Sequence, residues 1–152
     1  MKTFLTINIL LLLFSACSYD NAFSRFNISE KRAKSEESIV SSKIYNAKSI
    51  AGVMSCVYLN KIDPEEYKDG EYFYIYLYQK DINLKINFTL NDINASQVKE
   101  LTANNKFTVL TDSNLTWQKY YLVKFKHQDS NLTLIAKFSS FESDAIVFQK
   151  SN

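Results

Sequence analysis

The stretch Tyr72-Phe73-Tyr74-Ile75-Tyr76-Leu77-Tyr78 alternates without a break. Successive side chains of a strand point to opposite faces. Phe73, Ile75 and Leu77 therefore fall on one face, and Tyr72, Tyr74, Tyr76 and Tyr78 on the other. The pattern then recurs, with Ile82, Leu84, Ile86, Phe88 and Leu90 alternating with Asn83, Lys85, Asn87 and Thr89. One apolar side and one wet side are the mark of an antiparallel sheet. Gln79-Lys80-Asp81 between the two runs predicts a tight hairpin, without the Asn-Gly or Asp-Gly signal of the shortest turns.

Outward from this pair the β signal starts at Val53 and returns at residues 106–111, 118–127, 131–138 and 145–149, with Gln128-Asp129-Ser130 as a polar turn. One short helix is predicted between them. Asn94 reads as an N-cap with Gln97 three residues on, Ile93 can staple onto Val98, and Val98 and Leu101 follow at helical spacing up to Asn104-Asn105. In residues 38–52, Ile39, Val40, Ile44, Ala47 and Ala51 lie near one helical stripe that Gly52 would stop. Their β-branched members allow a strand, and the reading leans to helix. The sum is a mainly β domain, an antiparallel sandwich or partly open barrel of about six or seven strands with one or two short helices.

The amino terminus reads differently. Lys2 precedes an apolar run from Ile7 to Phe14, followed by Ser15, Ala16 and Cys17. A basic n-region, a short h-region and small residues before a cleavage point form a secretory signal, and the run is well short of the roughly 20 residues that span a bilayer. Phe14-Ser15-Ala16-Cys17 resembles a bacterial lipobox. A Phe three residues before the Cys suits the looser spirochaetal version, and the Asn- and Lys-rich composition with 2 Gly and 1 Pro resembles Borrelia-type lipoproteins. The resemblance covers the signal alone. It implies cleavage before Cys17, a diacylated thiol, an acylated amine, and residence on the outer membrane or cell surface. On this reading residues 1–16 are the signal peptide and 17–37 the lipidated cysteine with a flexible tether. Residues 38–152 form one β-rich domain. The tether is polar, with mixed charges in Glu30-Lys31-Arg32-Ala33-Lys34, and part of it could form a solvated helix.

Without the signal the chain carries 17 Lys+Arg against 16 Asp+Glu, a net charge of about +1. A nucleic-acid binder needs a basic face, so nucleic acid is excluded as a partner on charge and on export. An apolar content of 46 % is ample for a core. If Cys17 carries lipid, Cys56 is left single; Val53-Met54-Ser55-Cys56-Val57-Tyr58-Leu59 reads as an apolar setting for a buried thiol. If Cys17 does not, a Cys17–Cys56 bridge is open.

Residues that carry chemistry are few. His127 is the only histidine, which removes every two-histidine zinc scheme and reads as a surface imidazole. A Cys56–His127 pair is the sole nucleophile–base combination. With Gly52 and Gly70 as the only glycines there is no phosphate-cradling loop. Asp63, Glu65, Glu66, Asp69 and Glu71 invite calcium but lack EF-hand spacing, and Pro64 with Asp69-Gly70 marks turns, so a solvated loop is expected. No metal, cofactor or catalytic site is assigned. The candidate interaction face is Tyr72, Tyr74, Tyr76 and Tyr78, which serves either as a second packed layer or as a binding surface.

Three functions remain in order of preference. The first is a non-enzymatic, membrane-anchored binding module that meets membrane lipid through its acyl chains and a host or envelope protein through the tyrosine face or its loops. The second is a β-barrel lipoprotein that holds a small apolar ligand between Phe73/Ile75/Leu77 and Ile82/Leu84/Ile86/Phe88. The third, an enzyme, lacks acid–base partners.

Overall fold

The computed structural model describes residues 31–46, 49–79, 85–139 and 141–150. A helix, α1, occupies residues 31–36. It is followed by β1 (Val40–Asn46), β2 (Ser49–Tyr58), α2 (Leu59–Ile62), β3 (Glu71–Gln79), β4 (Asn87–Leu90), β5 (Ile93–Asn94), β6 (Gln97–Leu101), α3 (Thr108–Thr111), β7 (Lys119–Phe125), β8 (Leu132–Lys137) and β9 (Ile146–Phe148). Two antiparallel sheets result, one of five strands in the order β1-β2-β3-β7-β6 and one of four in the order β5-β4-β8-β9. This is the mainly β sandwich that the alternation predicts, with more strands than expected. Among the described residues no helix is long and apolar enough to cross a membrane.

β3 is the centre of the larger sheet and its alternation builds two cores. Phe73, Ile75 and Leu77 join Met54, Cys56, Val123 and Phe125 against Phe88, Leu90, Leu132, Leu134 and Phe148 of the other sheet. Rings bridge the layers, with Phe73 5.4 Å from Phe148 and Phe88 5.4 Å from Tyr121 between centroids. Each such fully buried side chain is worth about 1.5–3 kcal/mol relative to exposure. On the outer face Val57, Tyr74 and Tyr120 form a second core with Leu59, Ile62, Tyr67, Phe107 and Leu110, carried by α2, α3 and their loops.

Four expectations give way, each for a physical reason. Residues 38–52 are not a helix. Val40, Ser42 and Ile44 take the inner side of β1 at period two, and β1 pairs with β2 from Val40↔Cys56 to Asn46↔Ser49. The hairpin at Gln79-Lys80-Asp81 does not pair the two alternating runs. Both edges of β3 are taken by β2 and β7, so β4 crosses to the other sheet and pairs with β5 and β8. Lys80, Asp81, Ile82, Asn83 and Leu84 lie outside the described residues. The tight turn is instead Asn91-Asp92, both at positive φ (48° and 63°), between the paired Leu90 and Ile93. Two successive left-handed residues match the twist of a two-residue hairpin.

The capping signature at Asn94–Gln97 is spent elsewhere. Asn94 Oδ1 accepts from Asn87 Nδ2 at 2.8 Å, Ser96 N–H and Oγ–H both donate to Lys124 O at 2.9 Å, and Gln97–Leu101 becomes edge strand β6 along β7. Residues 106–111 hold a helical turn in place of a strand. Phe107 and Leu110, three apart, both reach the outer core. Asn105 Oδ1 accepts the Phe107 N–H at 2.9 Å, and left-handed Asp112 ends the turn. Gly52 is no helix stop: a Cβ there would meet Tyr78 O at 2.3 Å, so the β2–β3 approach requires glycine.

The last part of the expected tether is structured. α1 lies against the domain with Lys31 on Asp63 (2.7 Å), Arg32 on Asp112 (3.1 Å) and Ser35 fully buried. The signal, Phe14-Ser15-Ala16-Cys17 and residues 18–30 lie outside the described residues.

Candidate functional site

The tyrosine face divides along its length. Register places Tyr74 between Val57 of β2 and Leu122 of β7, and Tyr76 between Ser55 and Tyr120. Tyr74 has no exposed surface. Its ring stacks on Phe107 at 5.0 Å and on Tyr120 at 6.3 Å, and its hydroxyl accepts from Asn105 Nδ2 at 3.4 Å. Burial pushes that hydroxyl's pKa up to about 12. Tyr76 is half-buried beside it. Tyr72 is also half-buried, tilted on Tyr67 at 5.1 Å, donating to Asp69 Oδ1 at 2.6 Å and lying under Lys124 Nζ. These three belong to the second packed layer.

Tyr78 alone of the stripe stands open, 46 % exposed, and Trp117 beside it is 55 % exposed. Their rings meet edge to face at 5.4 Å and 85°. Val53, 41 % exposed, is the register partner of Tyr78 on β2, and Lys43 of β1 completes the row. Trp117 was not a candidate in the sequence, because nothing local ties residue 117 to the end of β3. The row is an apolar, ring-bearing surface with polar tips, the composition of a binding hot spot. It lies at the end of β3 remote from Glu71.

The opposite end of β3 holds a buried carboxylate. Glu71 has no exposed surface, although the sequence placed it in a solvated acidic loop. The signal that could have found it is parity, since Glu71 shares the inward face of Phe73, Ile75 and Leu77. Its Oε2 accepts from the Tyr58 hydroxyl. Its Oε1 accepts from Lys150 Nζ at 2.7 Å and the Gln128 N–H at 3.0 Å, and lies 3.0 Å from His127 Nδ1. Burial by itself raises the carboxyl's pKa. Lys150, the Tyr58 hydroxyl and the Gln128 N–H outweigh it and hold the group below the usual carboxylate value. This constellation ties β2, β3, the β7–β8 connection and the carboxy-terminal segment together. With donors on both of its oxygens, Glu71 fastens these segments together.

Three of the other carboxylates of the acidic stretch face separate cations. Asp63 meets Lys31, Glu66 meets Lys106 at 2.8 Å, and Asp69 meets Lys124 at 2.6 Å. Among the described residues no group of three His, Cys, Asp or Glu side chains converges on a common point. Cys56 is a free thiol with no exposed surface in the inter-sheet core, and burial pushes its pKa far up. His127 stands 64 % exposed at the sandwich end on Glu71. The structure therefore places Cys56 in the core and His127 at the rim, and no hydrogen bond joins them among the described residues. Cys17 lies outside the described residues. No family model, curated protein or solved structure matches the chain.

Proposed function

We propose that the chain is a lipid-anchored bacterial lipoprotein, held through Cys17 on the outer membrane or cell surface, whose sandwich is a non-enzymatic binding module for a host or envelope protein. The observation that carries the binding role is the open row Lys43–Val53–Tyr78 with Trp117, at the end of β3 opposite the acidic end where α1 meets the domain. Lys31 at the start of α1 rests on Asp63, just beyond α2. The reading of the anchor rests on Phe14-Ser15-Ala16-Cys17.

The apolar-ligand reading has less support. Of the residues that would line such a site, Phe73, Ile75, Leu77 and Phe88 are buried in the core between the two sheets, Ile86 is half-buried against it, and Ile82 and Leu84 lie outside the described residues. Two measurements test the proposal. Mature protein should enter the detergent phase and Cys17→Ala should not be matured, because two or more acyl chains anchor stably. Immobilised protein should capture an envelope or host protein that the Tyr78→Ala/Trp117→Ala variant, equally folded, fails to hold. Aqueous partitioning of the wild type removes the anchor. Equal capture by the double variant removes the aromatic row.

A further inference from the structure

We propose that the imidazole of His127 is a proton-operated latch on the carboxy-terminal segment. With one proton it leaves Lys150 clamped to Glu71; with two it becomes Glu71's cation and releases Lys150. The three groups meet in the structure. Lys150 Nζ donates to Glu71 Oε1 at 2.7 Å and to the Gln128 carbonyl, and stands 3.5 Å from His127 Nε2. His127 Nδ1 lies 3.0 Å from the same Glu71 oxygen. A carboxylate oxygen offers two lone pairs. Lys150 and the Gln128 N–H occupy both, so Lys150 and His127 contest one acceptor position.

The geometry fixes the resting tautomer. An ammonium has donors only, so the Nε2 facing Lys150 is the bare nitrogen and the ring proton sits on Nδ1, toward Glu71. Histidine is the side chain whose charge ordinarily changes between pH 5 and 8. A second proton, taken from water onto Nε2, aims an N–H at Lys150 and sets two positive charges 3.5 Å apart. Like charges that close repel strongly where water is partly excluded. One cation has to give way. Glu71 does not neutralise in this range, because its carboxyl is held below the usual value, so it still needs a partner. His127 directly precedes Gln128, whose N–H is bound to Glu71, and the backbone therefore keeps the ring in place. Lys150 is a long side chain two residues beyond β9, and it is the one that leaves.

The remaining groups around the ring act in the same direction. Glu71 and Asp129, whose exposed Oδ1 is 3.8 Å from Nε2, both favour the doubly protonated ring, and the Tyr58 hydroxyl stays on the other Glu71 oxygen. Lys150 alone opposes the second proton, so protonation and release favour each other. Release also moves a wall. Gln149 and Lys150 line a cleft of about 300 Å³ with Tyr58, Asn60, Lys61 and Pro64, and mild acid opens that cleft toward the Tyr58 hydroxyl.

His127 is the chain's only histidine, so its ring nitrogens can be read directly by ¹⁵N NMR of the full-length protein. At pH 7.5 the Nδ1–H tautomer is expected, and an Nε2–H tautomer would overturn the proposal. Amide exchange of residues 146–150, corrected for its intrinsic pH dependence, should be at least fivefold faster at pH 5.5 than at pH 7.5, with residues 73–77 unchanged. His127→Gln, which can donate and accept but never gain a charge, should stay slow at both pH values. Lys150→Met should be fast at both. Wild-type exchange that ignores pH, acceleration shared by residues 73–77, a His127→Gln variant that accelerates like wild type, or slow exchange in Lys150→Met would each contradict the latch.

Discussion

The two ends of β3 treat their exceptional residues in opposite ways. At the Glu71 end a polar group is fully withdrawn from water and meets Tyr58, Gln128, Lys150 and His127. At the Tyr78 end apolar surface is left in water, with Tyr78, Trp117 and Val53 open. Burying a charge is tolerable only when its hydrogen bonds are made, so the first end is committed to holding the fold. Leaving rings exposed gains the fold nothing, so the second is available for contact with something else. Tyr74 and Tyr78, two pleats apart on one face, sit on either side of that divide.

The largest effect should come from the closed part of the face. Tyr74→Ala removes a fully buried ring stacked on Phe107 and Tyr120, and should cost about 3–5 kcal/mol in denaturant unfolding. A loss below about 1 kcal/mol would mean that α3 and its loop do not seal the outer core.

Glu71→Gln comes next. It keeps the shape but removes the charge that three donors converge on, and should cost about 2–3 kcal/mol at neutral pH. The pH dependence has a definite sign. The carboxyl's pKa is lowered on folding from the ordinary 4.5, so its contribution is complete above that value. It is lost as pH falls from there through the folded-state value. Wild-type unfolding midpoints should therefore drop on acidification below the ordinary glutamate range, and the Glu71→Gln variant should show a shallower acid limb. Parallel limbs would contradict the buried charged state.

Gly52→Ala sharpens the contrast at the open end. An added Cβ would meet Tyr78 O at 2.3 Å, so the variant should lose about 1–3 kcal/mol even though the Tyr78 side chain is free. A neutral Gly52→Ala would show that β2 can move away from β3 there. A smaller effect is expected from deleting residues 31–37, because the ion pairs of Lys31 and Arg32 lie largely in water. The deletion should lower the unfolding midpoint by less than Glu71→Gln does and leave the β far-UV signal intact. Loss of cooperative unfolding would show that α1 is part of the core.

Much of this was legible in the alternation of residues 72–78, which assigned the two faces of β3 and, through parity, could have turned Glu71 inward. The sandwich class followed from the same signal. What failed were local signatures that a distant partner overrode. Asn94 looks like a helix cap until β7 supplies a strand for Gln97–Leu101 to pair with, and Phe107 and Leu110 look like strand residues until an outer core exists for them to enter. The switch of β4 to the second sheet had no local mark, because saturation of β3 by β2 and β7 is a property of the assembled sheet. The division of the tyrosine face was invisible for the same reason: the chain that covers Tyr74, residues 102–112, is remote from it in sequence, and so is Trp117 from Tyr78.

Tyr78→Ala and Trp117→Ala should each change stability by no more than about 0.5 kcal/mol, the smallest effects expected. Unfolding Tyr74→Ala and Tyr78→Ala side by side in denaturant tests the central claim, that one tyrosine face is core at Tyr74 and free surface at Tyr78. The two variants should differ by at least ~2.5 kcal/mol, with Tyr78→Ala indistinguishable from wild type. Equal destabilisation of both would contradict the account and return Tyr78 to the core.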